Sequence, residues 1–177
     1  AELAGRGLVG RPLACLTGSG EPVAAHRALE ILAVDIGARH LALAAEGADL
    51  ILNARRSEAL EATAVSIRDA HGVAVTKIAA DITSKAGQAA VLAEAGDADI
   101  LVTNAGGPPP GMWSDWDRDD FIAAFDANLL TPIALIKALL PGMMERGWGR
   151  IVNITSVAVK APIPVLGLSN TARSGLT

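Results

Sequence analysis

Ile100-Leu101-Val102-Thr103-Asn104-Ala105-Gly106-Gly107 is an apolar, partly β-branched run that ends abruptly in small residues. Its apolar positions do not alternate with polar ones, which suits a strand buried on both faces, as in a parallel sheet. The glycines that follow let a flat ligand approach the backbone closely. With Ile100 to Asn104 read as a strand, the same pattern recurs at Leu50 to Asn53, Val73 to Ile78 and Arg150 to Ile154, and Pro12 to Thr17 is expected to be the first strand. Between the runs, alanine, leucine and charged residues recur at helical spacing, predicting helices over roughly 38–46, 57–70, 84–95 and 118–146. Strand and helix in alternation imply an α/β fold, a doubly wound parallel sheet of Rossmann-like form, with chemistry at the carboxyl ends of the strands.

Composition narrows the function. The chain has 177 residues, 51% of them apolar, and a net charge of -4. That is enough apolar material for one core, and residues 1–177 are expected to form a single domain. Acidic and basic residues are interspersed and aromatic residues are few, so nucleic acid is not an expected partner. The longest apolar stretch, Leu129 to Leu140, contains Pro132 and Lys137, and no membrane anchor is expected. A basic start followed by an apolar secretory stretch is not seen, and the default location is cytoplasmic. Cys15 stands alone, which excludes an internal disulfide. His26, His40 and His71 share no ligand spacing, so no metal site is expected. Tyrosine is absent altogether.

The strand ends carry the candidate site. Thr17-Gly18-Ser19-Gly20 offers small residues and backbone N–H groups that suit a pyrophosphate above a helix start, or an ordinary turn. Arg55 and Arg56 follow the second strand, where an arginine pairs a 2′-phosphate and an acidic residue would instead hold the free ribose hydroxyls. This favours NADP, with NAD possible; a solvated basic helix start is the competing explanation. Asp81 follows the third strand and either contacts a ligand or, with Ser84, caps a helix. Trp113 and Trp116 follow the stiff Pro108 to Pro110 exit and either cover a substrate or pack a surface.

In this order and at these places the motifs resemble the short-chain dehydrogenase/reductase family, 3-oxoacyl-[acyl-carrier-protein] reductases among them, from Gly10 to Thr177. The resemblance implies that Thr17-Gly18 opens the glycine-rich loop, that Asp81 contacts adenine, and that Asn104-Ala105-Gly106 is the structural motif after the fourth strand. It makes Asn128, in Phe125-Asp126-Ala127-Asn128, the helical asparagine of the catalytic tetrad. Ser156, after Ile151-Val152-Asn153-Ile154-Thr155, takes the carbonyl-orienting position. The implied activity is hydride transfer between NADP(H) and a small carbonyl or alcohol. The implied assembly is a homodimer or homotetramer formed through helices near 118–146 and after 164. A catalytically silent nucleotide-binding or scaffold homologue, or a piece of a longer enzyme, are the alternatives, and the chain is expected to stop before its domain is complete.

Two departures from the family pattern stand out. Its tyrosine falls about 13 residues after the serine with a lysine four further on, and here those positions are Ser169 and Arg173. A serine hydroxyl is a far weaker acid than a phenol of pKa near 10, and an arginine does not titrate usefully. The glycine-rich loop is interrupted as well. Treating residues 21–33 as an insertion joins Thr17–Gly20 to Val34-Asp35-Ile36-Gly37, which keeps Gly37 but puts Asp35 in a glycine position. At about 4 Å and an effective dielectric near 20, that carboxylate would repel a phosphate by about 4 kcal/mol. The inserted Val23 to Leu32 has helical character.

Overall fold

The computed structural model describes residues 27–31 and 40–177. In them five strands, β1 (Arg27–Ile31), β2 (Asp49–Ala54), β3 (Val75–Ala79), β4 (Ile100–Thr103) and β5 (Arg150–Asn153), form one sheet in the order β3-β2-β1-β4-β5. Every pairing is parallel. The helices are α1 (His40–Ala45), α2 (Ser57–His71), α3 (Lys85–Ala95), α4 (Arg118–Phe125), α5 (Thr131–Glu145) and α6 (Gly167–Ser174). A π-helical turn, Asp126–Leu130, runs α4 into α5.

Successive strand residues feed opposite faces, as the pleat requires. Ala28, Leu50, Leu52 and Ile100 pack with Leu43 and Ala44 of α1 and Leu60, Ala64 and Ile67 of α2. Their neighbours Leu29, Ile51 and Leu101 pack on the other face with Val91 and Ala95 of α3 and Leu135, Leu139 and Met143 of α5. The sheet is thus covered on both sides, which establishes the doubly wound α/β architecture. By length and composition the helical run Arg118–Glu145 would be long enough to cross a membrane. Here its Leu135, Leu139 and Met143 belong to the core.

Helix ends follow local chemistry. Asp117 accepts from the backbone N–H groups of Asp119 and Asp120 while Asp120 accepts from the N–H of Asp117, a reciprocal cap at the start of α4. Gly72 ends α2 at φ 69°, a left-handed conformation that favours glycine, and donates to the Arg68 carbonyl.

β1 corrects the sequence reading. The expected first strand, Pro12 to Thr17, lies outside the described residues, and the strand at the centre of the sheet is Arg27–Ile31. It falls inside the 21–33 span set aside as an insertion, and in the part of Val23 to Leu32 expected to be helical. Local propensity does favour helix there, since only Ile31 is β-branched. Tertiary pairing overrides it: Ala28 and Leu29 are fully buried between β2 and β4. The strand start is held at the α3–β4 connection, where Asp99 N–H donates to the Arg27 carbonyl at 2.9 Å and the Arg27 guanidinium pairs with Asp97.

Candidate active site

Strand order reverses between β1 and β4, so the carboxyl ends there splay apart and leave a crevice. Polar side chains tie the other strand ends together around it. Asn53, buried at the end of β2, donates through Nδ2 to the carbonyls of Ile78 at 2.9 Å and Ala80 at 3.2 Å, joining β2 to the exit of β3. Thr103 Oγ1 donates to Asn153 Oδ1 at 2.8 Å, joining β4 to β5.

At the exit of β3, Asp81 Oδ1 accepts from the Thr83 hydroxyl at 2.8 Å and the Thr83 N–H at 3.0 Å. The Thr83 hydroxyl bond, with the Thr83 N–H and the charge of Arg55, holds the Asp81 carboxyl below its ordinary range. The sign follows: Asp81 is ionised at neutral pH, and whatever it contributes to binding is lost only as pH falls through the lower carboxylate range. Ser84 donates to the Asp81 carbonyl at 2.8 Å and accepts from the Gly87 N–H at 3.0 Å, capping α3. A Cβ on Gly87 would stand 2.6 Å from the Asp81 carbonyl carbon and nearer still to its oxygen. Gly87→Ala is therefore expected to destabilise the fold by about 1–3 kcal/mol. Thermal or urea unfolding of the variant measures this.

A cleft of about 550 Å³ lies between these turns, the β4 exit and α4. Arg55, Asp81, Ala105, Gly106 and Asn128 all line it. Asn128 is buried on the π-helical turn and donates through Nδ2 to the carbonyls of Gly106 and Ala124, each at 3.4 Å. It thereby links α4 to the β4 exit. Asn104 is buried beside the lining residues, and Arg56 is exposed at the N-cap position of α2, outside the lining.

Beyond β5, Ser156 caps a short 3₁₀ turn, its Oγ accepting from the Ala158 N–H at 3.1 Å. The hydroxyl proton remains to be donated to a ligand oxygen. Ser169 and Arg173 sit one turn apart on α6, and both are buried. The Arg173 guanidinium donates from Nη1 to the carbonyls of Ile154 at 3.1 Å and Thr155 at 2.7 Å, and from Nη2 to that of Ala105 at 3.1 Å. It bridges the exits of β4 and β5, and burial lowers its pKa. Ser156, Ser169 and Arg173 are not among the residues lining the cleft.

Thr17, Gly18, Ser19, Gly20 and Gly37 lie outside the described residues. Because β1 ends at Ile31, the chain leaving its carboxyl end is residues 32–39. Gly37 is in that connection, whereas Thr17–Gly20 precede β1 in the chain. Sequence reasoning passed over Asn53 and the Thr103–Asn153 pair, although an asparagine or threonine closing an apolar strand was the available signal.

A profile of the short chain dehydrogenase family matches residues 36–177. The ketoacyl reductase HetN of Nostoc sp. is 33% identical over 139 residues, which are 76% of this chain and 48% of that protein. The chain thus spans about half the length of this relative. Among solved structures, L-sorbose reductase from Gluconobacter frateurii, complexed with NADPH and L-sorbose, superposes with a TM-score of 0.79 at 27% identity, covering 85% of this chain and 60% of that one. A short-chain dehydrogenase from Sphingobium yanoikuyae in complex with NADPH gives a TM-score of 0.77 at 30% identity, covering 85% and 61%.

Proposed function

The chain belongs to the short-chain dehydrogenase family, and from that premise we propose that it is an oxidoreductase moving a hydride between NADP(H) and a carbonyl or alcohol, with 3-oxoacyl compounds as the substrate class. The observation that carries this is one cleft at the strand ends that holds Arg55 and Asp81 at one side and Asn128 at the other. The NADPH-bound neighbours and the ketoacyl reductase relative support it.

The residues present fit a dinucleotide on its adenosine side. Arg55 is exposed at the β2 exit, close enough to Asp81 to lower its pKa, so one cation and one carboxylate stand where ribose phosphate and adenine would lie. Of the glycine-rich-loop residues, Gly37 follows β1 in the chain and Thr17–Gly20 precede it. NADPH, when bound, supplies the hydride. Ser156 then donates its hydroxyl proton in a hydrogen bond to the substrate oxygen, and Asn128 holds the β4 exit beneath it. The exposed stripe of Ile122, Leu130, Ile133, Leu140 and Met144 along α4 and α5 is the face for self-association.

Arg55→Ala is expected to weaken NADP binding about 10- to 100-fold while leaving NAD affinity nearly unchanged, the loss of charged hydrogen bonds to a 2′-phosphate. Calorimetry with both nucleotides, beside NADPH oxidation against a panel of ketones and 3-oxoacyl thioesters, tests the reading. Equal losses for NADP and NAD would remove the phosphate assignment. Nucleotide binding without turnover is the second reading. It is favoured by the three carbonyls that occupy Arg173 and by the serine at position 169.

A further inference from the structure

α6 is eight residues long and begins after Leu166, which provides no side-chain cap. So short a helix has little stability of its own, because two turns do not offset the cost of nucleation. It is held from outside at two points. At its C-terminal end Arg173 reaches three backbone carbonyls. At its N-terminal end stands the indole of Trp116. A Cβ on Gly167 would be 2.9 Å from Cη2 of that ring and nearer still to Cζ3, and a Cβ on Gly111 would be 2.9 Å from Nε1. The ring fills a slot that exists because residues 111 and 167 carry no side chain.

Other contacts close the slot. Gly111 N–H donates to the Val165 carbonyl at 2.9 Å, two residues before α6. Phe121 meets the indole edge-on, with centroids 6.4 Å apart. Leu168 and Ala172 of α6 and Ala124 of α4 are buried in the same cluster. Gly167 has φ -52° and ψ -44°, ordinary helical values at which alanine is better than glycine. The backbone therefore gives no reason for glycine at 167, and the ring does.

We propose that Trp116 is a positioning residue that clasps the start of α6, and with Arg173 at the other end sets where Ser169 and the cleft-lining residues Ala105 to Pro109 stand. Its catalytic consequence rests on the oxidoreductase reading; the clasp itself rests on packing. The loop from Ala105 to Gly111 is bonded to the flanks of α6 at both its ends, so a shift of the helix is passed to the cleft wall.

The test uses the full chain as Gly167→Ala, Trp116→Leu and the double variant. Hydrogen exchange of the amides in residues 167–174 and the kcat and KM for NADPH-dependent reduction are measured. Each single variant is expected to speed exchange about tenfold or more, and Gly167→Ala to lower kcat about 10²-fold with KM changed much less. The double variant should recover protection relative to Gly167→Ala, because leucine leaves room for the new methyl. Wild-type exchange in Gly167→Ala, or a double variant no better protected than it, overturns the clasp. If Gly167→Ala does not fold, a folded double variant supports the clasp and an unfolded one overturns it. Absence of NADPH binding and turnover in the wild type would sink the oxidoreductase reading, while exchange would still decide the clasp.

Discussion

Arg173→Met is expected to lower the unfolding free energy by about 3 kcal/mol, seen as a lower urea midpoint with an unchanged slope. Three carbonyls, of Ala105, Ile154 and Thr155, lose their charged donors at once. Each such bond is worth about 1.5–3 kcal/mol, and relief of the buried charge offsets part of the sum. The offset is real because burial opposes the cation, lowering its pKa, and Nε has no hydrogen-bond partner among the described residues. An arginine stays protonated through the working range, so the loss should be the same at pH 6 and pH 8. Arg173→Lys should fall between, since one ammonium reaches fewer of three separated oxygens. A methionine variant within about 0.5 kcal/mol of wild type would mean that water or backbone movement satisfies these carbonyls, leaving the exits of β4 and β5 tied by Thr103 and Asn153.

The strands legible in the sequence are those whose apolar runs stop at a polar or turn-forming residue. β2, β3, β4 and β5 each end within a residue of the expected place, because a chemical change marks the point where pairing ceases. β1 was illegible for a physical reason: Arg27 to Ile31 is built mostly of helix formers, and only the partners on both sides make it a strand. A phosphate loop is located by the strand before it, and Thr17–Gly20, read as that loop, lie outside the described residues. Asn128 and Arg173 could be found by counting along motifs, yet counting gives a position and not a neighbour. That Arg173 faces three carbonyls depends on how α6 lies across two strand ends. The slot for Trp116 depends on two glycines 56 positions apart.

The second large effect is a gain: Ser169→Tyr is expected to raise the rate of NADPH-dependent reduction about 10²- to 10⁴-fold, the usual contribution of a positioned general acid. Ser169 is only 7% exposed and precedes Arg173 by four residues, one helical turn, so the two positions share a face. A phenol there has a reference pKa near 10, and a fixed guanidinium one turn away favours its ionised form, which draws the pKa down toward the working pH. Serine offers the substrate oxygen no comparable acid. The larger side chain costs about 1–3 kcal/mol of packing unless it grows toward the cleft, so unfolding curves must accompany the rates. The pH profile separates proton transfer from a mere change of shape. A true general acid gives activity that falls above a pKa lower than 10, and repacking alone gives none of that dependence. Were Ser169→Tyr folded, bound to NADP and no faster than wild type, a general acid at position 169 would not be what limits the reaction.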